Sequence, residues 1–401
     1  MFFISYTPRT LNLAVMMKKH KNLILLLIIT FLRSIFLWMA KFFLRFALKE
    51  DNRTLEEIAW YISLWSALSY LFWWALTYTF RKKPIAIISW IVVIGCLIYG
   101  YMTDYFPLKN FAFIITIMGF FYGLWLTIKG ILTTVEIMQS WWSETKINAT
   151  INIVIFLWLL VGAYWWFDIY ERLQGVGVIG LIWTVTLATI LIIFTNYDNN
   201  FKKHTLHSAI TKNIPNILGS VKKYFYYLIP IGILRAISTA VGQKMLEIGV
   251  DVMEKEPTKG IIVIIVSMWW AILGHILSTW VTKRKKVVSI LLTILLAIST
   301  VFFPNFLAQK DTFLFMMWYS TYLWLIFWII VNLIEWRFYH TIGEDNRKEF
   351  WSAAYWIITS IIIFLVMILG DYATKRRGIN TSFVVYGITV ATIIPFIKKI
   401  K

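Results

Sequence analysis

The sequence predicts an all-α membrane protein: twelve transmembrane helices in two pseudo-symmetric six-helix bundles around a central cavity. Three observations carry that expectation. First, hydrophobic residues make up 60% of the 401, aromatics 18%, and charged residues only 15%, where a soluble domain carries about 25% charge. That much apolar surface has to face lipid or other spans. Second, the chain repeats itself. Leu32-Arg33-Ser34-Ile35 is echoed by Leu234-Arg235-Ala236-Ile237, and Arg81-Lys82-Lys83 by Lys283-Arg284-Lys285, both at an offset of 202 residues, half the chain. Third, the formal net charge of +19 is unevenly spread. With both termini placed in the cytoplasm, Lys and Arg concentrate in the inner loops and tails while the outer loops lean acidic. This is the positive-inside bias of a polytopic protein. The excess charge reports topology, and no nucleic-acid partner is needed to explain it.

Apolar windows of about 20 residues place the spans at 23–47, 57–80, 84–102, 110–135, 149–167, 175–195, 224–246, 261–282, 287–304, 313–335, 351–370 and 381–397. At the start of the first, Lys18-Lys19-His20-Lys21 and Leu23–Thr30 imitate a secretory leader. Arg33 and Lys41 interrupt the apolar run beyond Thr30 and no small-residue cleavage site appears, so it reads as a retained span. Spans two and three are separated only by the first basic knot, and a connection that short forces them antiparallel. Trp141-Trp142 and Trp165-Trp166 flank spans four and five at their ends, where an indole prefers the headgroup region. After span six, residues 196–223 are the longest polar stretch, with five lysines and a helix breaker at Pro215. They read as a cytoplasmic linker between bundles 1–195 and 224–401. Spans seven to twelve repeat the pattern. Lys375-Arg376-Arg377 disobeys it, falling outside: either a true exception or a sign that the last two spans are misplaced.

Twelve spans, a six-plus-six repeat, a basic central linker and basic knots after spans two and eight resemble the major facilitator superfamily. In that family the loop between spans two and three carries a Gly-x-x-x-Asp-Arg-x-Gly-Arg-Arg type motif, with a weaker copy between spans eight and nine. Here its basic end is present, as Arg81-Lys82-Lys83 and Lys283-Arg284-Lys285-Lys286, while Thr77, Tyr78 and Thr79 stand where its glycine and aspartate fall. The Gly-rich fifth-span motif of drug/proton antiporters is represented only by Val161-Gly162-Ala163. The resemblance implies a cavity lined by spans one, four, seven and ten.

Arg33 stands about ten residues into span one, hence ~15 Å deep at 1.5 Å per residue, and Arg235 reaches nearly the same depth in span seven. A guanidinium there costs at least ~2.5–3.5 kcal/mol on insertion scales, so it needs a partner or water. Helix carbonyls or a hidden carboxylate could satisfy it, and the lack of any Asp or Glu at matching depth in a predicted span weakens the carboxylate version. Two arginines facing each other across the cavity would make an anion trap, each able to grip an oxyanion with two hydrogen bonds. That placement is similar to the organophosphate/phosphate antiporter branch, whose phosphate is held by one arginine from span one and one from span seven. On span four, Tyr122, Trp125 and Lys129 share one helical face at i, i+3, i+7 and complete the candidate substrate site. Lys41, Arg45 and Lys244 are read as snorkelling cations.

His275 is the only histidine within a span, and a side chain with an ordinary pKa of about 6.5 suits a proton relay. The knots, with Lys83 and Lys285 at their ends, are expected to close the inner side of the cavity together with Glu136 and Glu335 at the inner ends of spans four and ten. There is no phosphate-cradling glycine loop, no Cys/His pairing (Cys96 is the single cysteine) and no Asp-rich cluster, so enzyme chemistry, a cofactor and a metal are not expected. The expectation is a monomeric secondary transporter in a plasma membrane of the bacterial inner-membrane kind, multi-pass, both termini cytoplasmic, moving a small anionic solute. A lipid-handling or non-transporting protein on the same scaffold is the alternative from another class. Within transport, a proton-coupled carrier of a neutral solute is the rival, and the lack of a midplane carboxylate weakens it.

Overall fold

The computed structural model describes residues 24–32, 55–77, 82–102, 120–121, 174–194, 206–253, 257–281, 285–307, 312–343 and 350–400, with single positions at 21, 117 and 153. All regular structure among them is helical. Residues 24–32 form part of the first span. They are followed by α1 (Leu55–Thr77), α2 (Lys82–Met102), α3 (Gln174–Phe194), α4 (Leu206–Met253), α5 (Pro257–Trp280), α6 (Lys285–Leu307), α7 (Thr312–Gly343), α8 (Trp351–Arg377), α9 (Ile379–Ala391) and α10 (Ile394–Lys399). Five stretches among the described residues are long and apolar enough to cross a membrane, all from Ile210 onward.

Predicted spans four and five and residues 33–47 of the first fall almost wholly outside the described residues. The other nine spans coincide with helices, with two departures here and a third, at the end of α7, described below. The linker expected over 196–223 is helical from Leu206, and Pro215 lies inside α4 instead of ending it. A proline costs a helix one internal hydrogen bond, but packing outweighs it here. Asn213, Ile217, Ser220, Tyr224, Leu228 and Ile231 recur at helical spacing and are all buried, so one stripe runs unbroken through the predicted linker into span seven. Around Ile217 it meets Tyr70 of α1 and Phe350, Ala353 and Ile357 at the start of α8. The second departure is α8, which continues to Arg377. Its last turn holds the disobedient triplet. Lys375 Nζ donates to Asp371 at 2.9 Å one turn back, and cations at a helix C-terminus meet the orphan carbonyls favourably. Gly378, at φ 84°, then reverses the chain into α9. That backbone conformation favours glycine. Helices therefore stand where the last two spans are expected, and Lys375 of the basic triplet is paired locally.

Helix α8 packs along α4 and α1, α7 along α5 and α6, α6 along α9, and α2 along α3. Helix α1 thus joins the first half to the second. Polar side chains inside the spans turn inward on their own helices: Thr293 donates to Ser289 O at 2.7 Å, Thr300 to Leu296 O at 2.8 Å and Thr189 to Val185 O at 2.8 Å. Such bonds are what a lipid-facing helix requires. At two glycines a neighbouring helix backbone comes too close for any larger residue. A methyl group on Gly274 would lie 2.8 Å from the Leu325 carbonyl oxygen of α7, and one on Gly387 would collide with Val301 of α6. Large apolar side chains such as Trp183, Leu291, Ile298 and Trp318 stand exposed, as a surface meant for lipid would have them.

Candidate functional site

Arg235 sits deep in α4, eighteen residues before its end at Met253, on a segment whose other faces (Leu234, Ala236 and Ile237) are fully buried. Its Nη2 donates to Glu335 Oε1 at 2.9 Å, with the arginine side chain 25% exposed and the glutamate 2%. Tyr355 of α8 donates its hydroxyl to the same carboxylate oxygen at 3.0 Å. The guanidinium carbon lies 5.0 Å from the centre of the Trp328 ring, close enough for a cation–π attraction. Arg235 Nε is buried and makes no hydrogen bond. Three helices therefore converge on one cation, and only part of its donor fork is used.

This geometry corrects one sequence expectation. A carboxylate does lie at the depth of Arg235. The hydropathy window puts Glu335 at the inner end of span ten, but α7 continues eight residues past it to Gly343, roughly another 12 Å. From that position Glu335 compensates a buried charge, as a carboxylate inside a span should. Arg235 accounts for its place, and the knot residues Arg81, Lys283 and Arg284 expected to pair with it lie outside the described residues.

A second polar group adjoins the first. His275 of α5 is 1% exposed, with Nδ1 2.7 Å from Asn332 Nδ2, and Asn332 Nδ2 also donates to Ser278 Oγ at 3.0 Å. With the amide in this orientation it donates to Nδ1, so the imidazole proton resides on Nε2. The His275 ring lies 4.6 Å from that of Trp328, centre to centre, so one indole separates the imidazole from the guanidinium. Trp328, Asn332 and Glu335 stand at i, i+4, i+7 on one face of α7. Sequence reasoning missed Trp328, Asn332 and Tyr355. A signal existed for two of them: Trp328 and Asn332 repeat the spacing of Trp125 and Lys129, 203 residues on.

Of the other predicted residues, Lys285 lies in the first turn of α6 with Nζ 3.3 Å from the centre of the Trp336 ring. Both knots begin helices: α2 starts at Lys82, with Lys83 next, and α6 at Lys285. Lys244, read as snorkelling, is 1% exposed, held inside the bundle instead of reaching an interface. Arg33, Arg81, Tyr122, Trp125, Lys129, Glu136, Lys283 and Arg284 lie outside the described residues, as do Lys41 and Arg45. Near them, Leu32 and Leu234, the residues preceding the paired arginines, belong to one contiguous core. Beside Tyr122, the carbonyls of Phe120 and Phe121 accept hydrogen bonds from Ser69 of α1 and Ser89 of α2.

No protein-family profile and no curated protein sequence matches this chain. Among solved structures it is similar to the crystal structure of FucP, a major facilitator superfamily transporter, in the outward conformation. The TM-score is 0.59 at 13% identity, over 94% of this chain and 98% of that one. At that identity the likeness is one of fold. The chain has the major facilitator fold along almost its whole length.

Proposed function

We propose, with that fold as the premise, that the chain is a secondary transporter working by alternating access between its two halves, and not an enzyme. Its cargo is a small anionic solute, phosphorylated solutes included, gripped by Arg235 and by Arg33 at the matching position of the first half. Lys129, with Tyr122 and Trp125, completes the site from span four. The observation that carries this reading is Arg235 itself: a mid-span guanidinium, a quarter exposed, paired to Glu335 through Nη2. An oxyanion approaching from the exposed side meets the accessible part of the guanidinium, away from the buried Nε. The fork geometry suits two oxygens of one group.

The test is counterflow in proteoliposomes with a panel of inorganic phosphate, phosphoesters and carboxylates. The parent protein should exchange at least one anion, Arg235→Gln and Arg33→Gln should each abolish exchange, and their effects should not add. Exchange of an anion by Arg235→Gln at the parental rate overturns the reading.

One observation favours the rival, a proton-coupled carrier of a neutral solute. Glu335 supplies the mid-span carboxylate that such a carrier needs, hydrogen-bonded to both Arg235 and Tyr355. In that case Glu335→Gln keeps counterflow of a neutral solute but loses accumulation driven by a pH gradient. An anion carrier instead shows no uptake of neutral solutes in either protein.

A further inference from the structure

Helix α4 is too long for a bilayer. Its 48 residues span about 72 Å, against roughly 30 Å of hydrocarbon and 40–45 Å with headgroups. Lys222 and Lys223 stand twelve to thirteen residues before Arg235, ~18–20 Å along the axis. With Arg235 near the midplane, that places them just beyond the ~15 Å half-thickness of the hydrocarbon.

The C-terminus arrives at the same level from elsewhere. From the Gly378 reversal, α9 and α10 run 21 residues to Lys399, about one bilayer thickness. Pro395 lies in the first turn of α10, and Ile393, Ile397 and Ile400 are buried at 2% exposure or less. The last turn is therefore fixed on the core, not frayed. It presents Lys398 and Lys399 outward, both exposed.

Lys222 and Lys223 stand one turn before Tyr226 on α4, and Lys399 reaches the same ring from α10. Lys399 Nζ lies 5.1 Å from the centre of the Tyr226 ring, and the Phe396 ring lies 6.4 Å from that of Tyr226. Tyr226 is 44% exposed. Four exposed lysines thus stand on adjoining turns of α4 and α10, around a ledge of the exposed Tyr226 and the half-buried Phe396, at the boundary between hydrocarbon and headgroups.

We propose that this ledge binds the phosphodiester headgroup of an anionic phospholipid. The lysines of α4 and α10 hold the phosphate, and Phe396 and Tyr226 lie against the glycerol and upper acyl chain. The geometry favours a lipid over a dissolved anion. A soluble phosphate would gain nothing from the aromatic floor, whereas a lipid already lies at that depth and meets both parts. The site is separate from Arg235 and does not depend on the proposed cargo.

The test uses the full chain in nanodiscs, released into detergent and weighed with its retained lipids by native mass spectrometry. Discs contain phosphatidylcholine alone or with phosphatidylglycerol. The parent should retain phosphatidylglycerol at least tenfold over its share in the disc. Each lysine exchanged for glutamine should reduce that enrichment about fivefold, and the quadruple Lys222, Lys223, Lys398, Lys399→Gln variant should lose it. The quadruple Lys→Arg variant should keep it, and neutralising Lys375 and Arg376 on the opposite face should change nothing. No enrichment by the parent overturns the proposal even if the quadruple variant fails to fold. So does enrichment surviving in the Gln variant, or displacement of the lipid by millimolar inorganic phosphate.

Discussion

Two ion pairs in this molecule have the same length and different work. Arg235–Glu335 and Lys375–Asp371 both measure 2.9 Å. The first joins two helices across 100 residues of sequence, its carboxylate 2% exposed and shared with Tyr355. The second lies within one helix at i,i+4, with 49% and 12% of its side chains exposed. Distance therefore says little about what a pair contributes. What matters is how much each charge loses when its partner is removed. At the helix end the half-exposed Lys375 has water and the terminal carbonyls in place of its partner. Inside the bundle far less is at hand to replace it, and the surviving charge loses more.

The sharpest way to break this contrast is Glu335→Gln. It keeps volume and one acceptor oxygen but leaves Arg235 uncompensated, and should cost about 3 kcal/mol of stability or more, read as a large fall in melting temperature of the purified chain. If the fall matches that of Asp371→Asn, the two pairs are equivalent and the contrast is wrong. Next, Arg235→Lys retains the charge and loses the planar fork. Anion affinity should drop at least tenfold, by ~1.4 kcal/mol or more, while melting shifts less than for Glu335→Gln. Unchanged affinity would mean that only charge matters there.

Smaller still is Tyr355→Phe, which removes one hydrogen bond to a charged acceptor and should cost about 1.5 kcal/mol. The ring, 6.2 Å centre to centre from Phe338, keeps its packing. A double-mutant cycle with Glu335→Gln should show coupling, since both act on one oxygen; strict additivity would contradict the shared-acceptor geometry. Asp371→Asn comes last, at about 0.3–0.5 kcal/mol. Its effect should vanish in high salt, whereas that of Glu335→Gln should persist.

Most of the helical architecture was legible in the chain because each span has to be apolar from end to end, and that leaves a plain trace. The depth of Arg235 was legible for the same reason. Its partner was not. The apolar window closes at Glu335, but Trp336, Phe338, Tyr339 and Ile342 carry α7 on to Gly343, so a residue that ends a hydropathy window lies well inside a helix. Pro215 misled in the opposite direction. Read locally it breaks a helix, yet the stripe from Asn213 to Ile231 binds both sides of it to one buried face. Tyr355 has no local mark at all, since its role depends on α8 crossing α4 and α7, which only the packed bundle fixes.

Gly274 carries a consequence for how this protein can vary. Its bare Cα lets α5 rest on the Leu325 carbonyl, and a methyl there would also come within 3.1 Å of Trp328 Cβ. Trp328 is the indole wedged between His275 and Arg235. Even the mildest substitution at this position would have to displace the wall against which the guanidinium lies. A lineage could exchange side chains around that wall, but it could not move the wall without first re-cutting the seam between the two helices. Gly274 therefore ties the chain's evolutionary freedom around Arg235 to the spacing between α5 and α7.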